Sequence, residues 1–188
     1  MSPREVTLEV NPRARVDVID VRARANEVHG PALEDYSRCF YVSAHTTAGY
    51  LPQPLAARLT ASKDGLTSYL DLFRSMFPEG AGYAHDKLEQ RHELPPEQRA
   101  VEPANADSHL AFIAAGLQSS VVYNATRPGP VFFVDLDGTN NGTPRRRATT
   151  LVGFNREEEV ARATLTVPVS AHPVDAVNLK NPRLGLYD

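Results

Sequence analysis

The runs Ser119–Asn124 (SSVVYN) and Val131–Leu136 (VFFVDL) are separated by Arg127–Pro130 (RPGP), and this stretch decides the class of fold. Valine, tyrosine and phenylalanine favour strands, whereas Pro-Gly-Pro favours a turn. We therefore predict two strands joined by a short connection. A further strand is predicted from Arg147 to Phe154, after a turn rich in glycine and asparagine. This part of the chain is expected to form antiparallel sheet.

Outside this region, short alternating or β-rich segments predict four more strands. They are Val6–Val10, Val16–Ile19, Cys39–Ala44 and Val160–Val169. On the third of these, His45 follows directly at the end of the strand, where chains commonly present functional groups.

Three segments favour helices. They are Val21–Asp35, interrupted at Gly30-Pro31, then Leu55–Phe77 and Ala104–Leu117. In the second segment, apolar residues recur at three- and four-residue intervals, so one face is expected to pack against a sheet. The polar segment between residues 78 and 96 is predicted to be a long functional loop.

Together these elements predict a single α+β domain over residues 1–188, mainly antiparallel sheet packed with a few helices. The core of the domain is expected to span about residues 5–170. Residues 171–188 are expected to form a C-terminal tail.

The composition favours a small molecule as the partner. The net charge of -3 is spread without long runs of either sign, so neither nucleic acid nor an acidic membrane surface is expected to bind. No apolar run approaches the length of about 20 residues that a membrane-spanning helix needs. Cys39 is the only cysteine, and the N-terminal residues lack the apolar core of a signal peptide. The cytoplasm is therefore the expected compartment.

Three histidines lie in separate polar motifs: His45 in AHTTAG, His85 in GYAHD and His109 in NADSHL. Neutral imidazole is a common ligand of zinc, and three such ligands leave a coordination position open for water or substrate. These histidines are candidate ligands of a divalent metal, most of all zinc. The alternative is that they are unrelated surface or hydrogen-bonded residues.

Asp86 and Asp107 lie one and two residues from two of these histidines. A carboxylate there can orient an imidazole or serve as an acid or base, so both are candidate catalytic residues. Alternatively, Asn105 or Asp107 caps the start of the predicted helix. The two roles are compatible.

Arg145 and Arg147 follow the glycine-rich turn and could bind a phosphate or carboxylate. The alternative is that they pair with Asp135 and Asp137 on the preceding strand. Gly138–Gly142 lacks the ending of a phosphate-binding P-loop, and the chain has no serine-hydrolase elbow motif.

Four sequence blocks, in order, resemble the signatures of the YjbQ-like family. They are HTTA at residues 45–48, YAHD at 83–86, NADSHL at 105–110 with GLQSS at 116–120, and DLDG at 135–138 leading to PRRR at 144–147. The resemblance covers about residues 5–170. The family was long of unknown function, and some members are assigned as secondary thiamine-phosphate synthases.

The resemblance implies a compact α+β fold with antiparallel sheet, assembled as a homotrimer. It also implies that His45, His85 and His109 cluster to hold a metal near subunit contacts, with the arginines bordering the same pocket. The anion-binding residues expected from these blocks are Arg145, Arg147, Asn105 and Thr46.

Two departures from the family pattern stand out. The family usually continues after His-Thr-Thr-Ala with Asn-Glu-Asn, whereas this chain has Gly49-Tyr50-Leu51. The family's Gly-Thr-Trp-Gln segment is also missing, and the chain has no tryptophan. Both losses are expected to remodel the pocket wall and favour a specialised substrate.

These features support three hypotheses. The first is a metal-assisted enzyme acting on a phosphorylated or otherwise anionic small molecule, which could resemble a thiamine-phosphate synthase. The second is a non-catalytic trimeric protein that binds a metabolite or a metal. The third is a metal-dependent hydrolase of a phosphoester or lactone.

Overall fold

Antiparallel sheet dominates the fold, as the sequence predicts. The structure is a computed structural model that describes residues 2–31, 33–92 and 94–155. Within these residues the strands are β1 (Arg4–Val10), β2 (Asp17–Asp20), β3 (Arg38–Val42), β4 (Ala48–Tyr50), β5 (Ser120–Asn124), β6 (Phe132–Asp135), β7 (Thr139–Asn140), β8 (Thr143–Pro144) and β9 (Arg147–Phe154). The helices are α1 (Val21–His29), α2 (Gln53–Leu59), α3 (Gly65–Met76), α4 (Pro96–Arg99) and α5 (Ala106–Ala114). The α+β fold class is confirmed.

The described residues divide into two compact units. Residues 2–79 and 107–155 form the first unit, which contains every strand named above. Residues 80–106 belong to the second, with the 3-10 turns Ala84–Asp86 and Leu88–Gln90 and helix α4. None of the helices in the described part of the chain has the length and apolar character that crossing a membrane requires.

The first sheet has the strand order β1-β9-β3-β5, with every neighbouring pair antiparallel. Alternation along β9 sends Thr149 and Leu151 inward, with Ala148 and Val152 on the opposite face. The same alternation turns Arg147, the first residue of the strand, toward the interior. The alternation of side chains along β9 thus buries the charged side chain of Arg147. A buried charge needs a partner.

The second sheet has the order β2-β6-β4 and is also antiparallel. Its central strand, β6, is largely buried and aligns Asp135 with Asp17 on one side and Ala48 on the other. A third, two-stranded sheet joins β7 to β8 as a short hairpin. The end of β6 and the hairpin after it therefore place Asp135, Asp137 and Arg145 close together.

Aromatic side chains fill the core of the first unit. Tyr50 packs on Tyr41 and Phe133, with ring centroids 5.8 and 5.4 Å apart, and Tyr41 also packs on Tyr123 at 5.7 Å. The buried hydroxyls find partners: Tyr123 donates to the Leu51 carbonyl at 2.7 Å, and Tyr50 hydrogen-bonds Thr149. These contacts pack β4 and β6 of the second sheet against β3 and β5 of the first.

The predicted helix Leu55–Phe77 is instead two helices, α2 and α3. The chain turns so tightly between them that a Cβ at Gly65 would lie 2.3 Å from the Leu59 carbonyl oxygen. The Thr60 hydroxyl also bonds back to the Ala56 carbonyl at 3.0 Å. The apolar residues keep their helical spacing across the break, so the spacing alone does not reveal that the chain forms two helices.

Three other predictions differ from the structure. The first helix ends at His29, because Gly30 takes a φ of 64°. Strand β4 was not predicted, since it has only three residues, all buried. The polar segment after Phe77 contains 3-10 turns and the short helix α4. The predicted strand Val160–Val169 and the C-terminal tail lie outside the described residues.

Candidate functional site

A buried ion pair lies at the centre of the candidate site. Arg147 Nε donates to Asp135 Oδ2 at 2.7 Å, and Nη2 donates to Oδ1 at 2.9 Å. The two side chains are 5% and 0% exposed. Nη2 also donates to the Asp137 carbonyl at 2.8 Å and to the Thr47 hydroxyl at 3.3 Å. Arg147, predicted to bind an anion, is therefore held by contacts within the protein.

Arg145 has a different setting. Its Nη1 pairs with Asp137 Oδ2, yet its side chain keeps 30% exposure while that of Asp137 is 2% exposed. The Asp137 N–H donates to Asp135 Oδ1 at 3.0 Å, which joins this pair to the buried one. Of the two arginines proposed as an anion clamp, Arg145 is the one that reaches the surface.

His45 lies beside this network, in the loop between β3 and β4. Its Nε2 accepts a hydrogen bond from the Ala148 N–H at 3.1 Å, 103 residues away in sequence. Burial lowers the pKa of His45, and the charge of Arg147 lowers it further. Asp135 and the Ala148 bond raise the pKa, whereas Arg145 lowers it, and the net shift is downward. The imidazole is therefore neutral near pH 7, with its proton on Nδ1.

Asp107, at the start of α5, forms a second pair that the sequence did not predict. Arg15 Nη1 and Nη2 donate to its two oxygens at 3.0 and 2.9 Å, and Arg15 also pairs with Glu79 at 2.7 Å. Burial alone lowers the pKa of Arg15, but Asp107, Glu79 and Asp137 raise it overall. The charge of Asp137 therefore acts on Arg15 as well as on Arg145, and couples the two pairs electrostatically.

We use the name arginine–carboxylate cluster for six residues of the first unit: Arg15, Arg145, Arg147, Asp107, Asp135 and Asp137. A cavity of about 230 Å³ opens beside Arg15 and Asp107 and is also lined by Arg74, Glu79 and Ser108. Its walls carry both signs of charge. Asp107 is thus oriented by the Arg15 guanidinium through two hydrogen bonds.

The second unit holds His85 and Asp86. His85 Nδ1 lies 3.2 Å from Asp86 Oδ1, and that oxygen also accepts from the Ala106 N–H at 3.0 Å. Asp86 therefore orients the imidazole and satisfies the first N–H of α5. Arg91 Nη1 donates to His85 Nε2 at 3.4 Å. Both ring nitrogens of His85 have hydrogen-bond partners.

The remaining predicted site residues differ in exposure. Thr46 is exposed beside His45, His109 is half-buried on α5, and Asn105 is buried in the second unit. Thr47, the neighbour of Thr46, makes the more extensive contacts. Its carbonyl accepts from the Leu136 N–H at 3.0 Å and its hydroxyl from Arg147.

The sequence proposes His45, His85 and His109 as the ligands of a divalent metal. Within the described residues there is no group of three or more His, Cys, Asp or Glu side chains arranged to hold a metal ion. The lone pair at Nε2 of His45 is used by the Ala148 N–H, and that of His85 by Arg91. As arranged, these two rings do not fit a metal ligand set, because ligation requires a free lone pair. The divalent-metal site stays a prediction.

Sequence reasoning missed Arg15, Glu79 and Thr47. Arg15 follows the Asn11-Pro12 break in a short charged stretch with no recognisable motif. Its partner Asp107 is 92 residues away, so spacing carries no signal for the pair. Thr47 lies in the HTTA block, which could have pointed to it. The residue predicted from that block to bind an anion was Thr46.

Comparisons with known proteins identify the fold. No protein-family model matches the sequence. No curated protein matches it either. Among solved structures, the chain is similar to a YbjQ-like protein of unknown function from Sulfolobus solfataricus P2, with a TM-score of 0.53 and 15% identity over 82% of this chain and 99% of that one. A hypothetical protein from Aeropyrum pernix K1 gives 0.52 and 18% over 81% and 99%.

A third similar structure is an uncharacterized conserved protein of the yjbq/upf0047 family from Clostridium acetobutylicum. Its TM-score is 0.47, with 17% identity over 78% of this chain and 97% of that one. The first two likenesses define the class: an α+β chain with antiparallel sheets. More particularly, the chain has the fold of YbjQ-like proteins of unknown function.

Proposed function

We propose that this chain is a divergent YjbQ-like protein that binds an anionic small molecule at the surface edge of the arginine–carboxylate cluster. One observation carries the proposal. Arg145 keeps 30% of its side chain exposed although it pairs with Asp137, and it lies close enough to His45 to add, after burial and Arg147, to the lowering of that pKa. An exposed guanidinium beside a neutral imidazole that can donate offers an anion two donors at one place.

The contacts support a separate role for each residue in this proposal. Arg145, with 30% of its side chain exposed, reaches the ligand directly. Neutral His45 donates from Nδ1, since Nε2 is held by Ala148. Thr46 is the exposed neighbour that can add a hydroxyl contact. Arg147 contributes charge from behind and does not touch the ligand, because its guanidinium is buried against Asp135.

An enzymatic form of this function would resemble thiamine-phosphate synthesis, in which a pyrimidine methyl pyrophosphate is joined to a thiazole phosphate. Both reactants carry the negative charge that Arg145 and His45 suit. The divalent metal predicted from the sequence, with His45, His85 and His109 as candidate ligands, would further offset that charge. Such a metal requires Nε2 of His45 to release the Ala148 N–H, which gives the metal a measurable signature.

The second candidate is a non-catalytic binding protein. The residues at and directly after β4 support this candidate. The segment that replaces the family's Asn-Glu-Asn is buried, with Tyr50 and Leu51 both 0% exposed. No carboxylate or amide side chain is supplied there. Loss of an acid or base reduces catalysis more than it reduces binding. We propose a homotrimer for either candidate, which light scattering of the purified chain would test.

The binding proposal is tested by NMR titration of His45 with pyrophosphate and with inorganic phosphate. We expect saturable binding that raises the pKa of His45. Arg145→Gln should weaken binding about tenfold, which corresponds to one lost charged hydrogen bond. Arg146→Gln, an exposed neighbour, is the matched control and should have little effect. Equal binding by the Arg145 and Arg146 variants would contradict the proposal.

Two further measurements separate the candidates. Incubation with the pyrimidine pyrophosphate and the thiazole phosphate distinguishes an enzyme from a binding protein by product formation. Metal analysis of protein purified without an affinity tag, with zinc added, tests the metal. Zinc binding should move the Ala148 amide resonance and be reduced in His109→Ala. If the anion binds and zinc does not, the metal proposal is wrong and the proposal of an anion site is unaffected.

A further inference from the structure

A second cavity, of about 210 Å³, lies in the first unit against α1, β3 and β9. Its polar lining comes from Arg22, Asn26, Glu34, Cys39 and Tyr41. The rest of its lining is apolar and comes from alanine and leucine side chains. None of these residues belongs to the arginine–carboxylate cluster, so this cavity is independent of the proposed function.

Arg22 is the group in this cavity that calls for an explanation. Its Nη1 donates to the carbonyls of Arg127 and Gly129 at 3.0 and 3.1 Å, which anchors the side chain. Its Nη2 is buried and has no hydrogen-bond partner in the part of the chain that the structure describes. Buried polar groups are nearly always hydrogen-bonded, and a charged one especially so. A water or a ligand is the ordinary partner for such a group.

The buried polar side chains that share the cavity with Arg22, Cys39 and Tyr41, are neutral. Burial raises the pKa of the Cys39 thiol to about 11, although Tyr41 and Arg22 lower it, so the thiol stays protonated. Burial and Cys39 raise the pKa of Tyr41, and the interaction of its hydroxyl with Arg22 lowers it by less, so Tyr41 lies near this guanidinium as a neutral group. The exposed Glu34 carboxylate is bonded to Asn26 Nδ2 at 3.0 Å. The lining thus combines the Arg22 cation, the exposed Glu34 carboxylate held by Asn26, and apolar walls.

We propose that this cavity is a binding site for a small carboxylate with an apolar body. The carboxylate would accept from Nη2 of Arg22, and the hydrocarbon part would lie against the Ala25, Leu33 and Leu151 side chains. Size supports this class, because an apolar cavity of about 150 Å³ admits benzene. The apolar walls disfavour inorganic phosphate, which has no hydrocarbon surface to bury.

Benzoate, with benzamide as its neutral counterpart, tests the proposal by calorimetry on the full chain. We expect benzoate to bind at least tenfold more tightly than benzamide or inorganic phosphate. Arg22→Gln should weaken benzoate binding by at least tenfold. Arg24→Gln should not, since Arg24 is on the same helix but half-exposed and paired with Glu27 at 2.8 Å.

Arg22 also anchors two carbonyls, so a second variant is needed that leaves those bonds in place. Ala125→Leu adds volume to the cavity wall and should abolish benzoate binding while the thermal unfolding midpoint stays near that of the wild type. The proposal is overturned if benzoate does not bind, if benzamide binds equally well, or if a folded Ala125→Leu chain binds benzoate as before. None of these results depends on phosphate binding near His45.

Discussion

Arg147 and Asp135 form a bidentate ion pair with donor–acceptor distances of 2.7 and 2.9 Å, closed off from solvent between two sheets. Removing one partner of such a pair leaves a buried charge without compensation. We predict that Asp135→Asn lowers the free energy of unfolding by about 3–5 kcal/mol. Urea denaturation of the variant and the wild type measures this loss.

The double variant Asp135→Asn with Arg147→Met provides the decisive comparison. Because it removes both charges, it should recover most of the stability that the single variant loses. Arg146→Met, which changes an exposed arginine next in sequence, should change the free energy of unfolding by less than about 0.5 kcal/mol. A double variant as unstable as Asp135→Asn would mean that the pair is not the source of the loss.

Stability should also depend on pH through His45. Its pKa in the folded chain is lowered, so the unfolded chain binds the proton first as the pH falls. The contribution is fully present above the unfolded value of about 6.5 and is lost as the pH falls through that value toward the folded pKa. The free energy of unfolding, measured by denaturation from pH 8 downward, should decrease in this window.

The matched control is His45→Gln, whose amide oxygen can accept the Ala148 N–H without titrating. The difference in unfolding free energy between wild type and variant should become smaller as the medium is acidified. Asp17 acts in a separate window. Burial raises its pKa, but hydrogen bonds from Arg13 lower it overall, so its contribution is lost as the pH falls below about 3.8. If the difference in unfolding free energy between the wild type and His45→Gln does not change with pH, the assigned role of His45 is contradicted.

A third prediction concerns Arg15, which pairs with two carboxylates of unequal exposure. Its two-bonded contact with Asp107 is partly buried, whereas the side chain of Glu79 is 67% exposed. A double-mutant cycle of Arg15→Gln and Asp107→Asn should give a coupling of about 1.5–3 kcal/mol. The same cycle with Glu79→Gln should give less than about 1 kcal/mol. Similar couplings in both cycles would contradict the pairing.

The strands could be predicted from the sequence because alternation reports burial directly. The run from Arg147 to Phe154 is observed with the predicted bounds, and the two runs that define the fold class are β5 and β6. Strand β4 could not be predicted this way, since its residues are buried on both faces. The break between α2 and α3 left a signal in Lys63-Asp64-Gly65, but the continuous apolar stripe outweighed it.

The site was predictable only where its partners are close in sequence. Arg145 and Arg147 could be matched with Asp137 and Asp135 because a short hairpin returns the chain between them. That pairing was the alternative to anion binding; both arginines make it, and our proposal gives Arg145 the role of binding an anion as well. The Ala148 N–H bond to His45 depends on tertiary structure alone. No motif encodes it.

Gly49 stands where the YjbQ-like sequence pattern has the first asparagine of Asn-Glu-Asn, and a side chain has no room at this position. A Cβ at position 49 would lie 2.5 Å from the Gln118 carbonyl oxygen and 2.9 Å from Phe112 Cε2. Tyr50 and Gln118 also exchange backbone hydrogen bonds of 2.8 Å in each direction, which fix this approach. A side chain at position 49 would therefore have to displace this hydrogen-bonded backbone.

We predict that Gly49→Asn, which restores the first residue of the family element, lowers the free energy of unfolding by about 1–3 kcal/mol or more, because overpacking against fixed backbone is costly. Gly80→Asn is the control: no atom lies within 4 Å of its added Cβ, and its φ of 71° is strained for a side chain but least so for asparagine, so its loss of stability should be the smaller one. Urea denaturation of both variants measures the difference. Equal stability of the Gly49 variant and the wild type would show that β4 can open, and the case for a non-catalytic protein would lose its support.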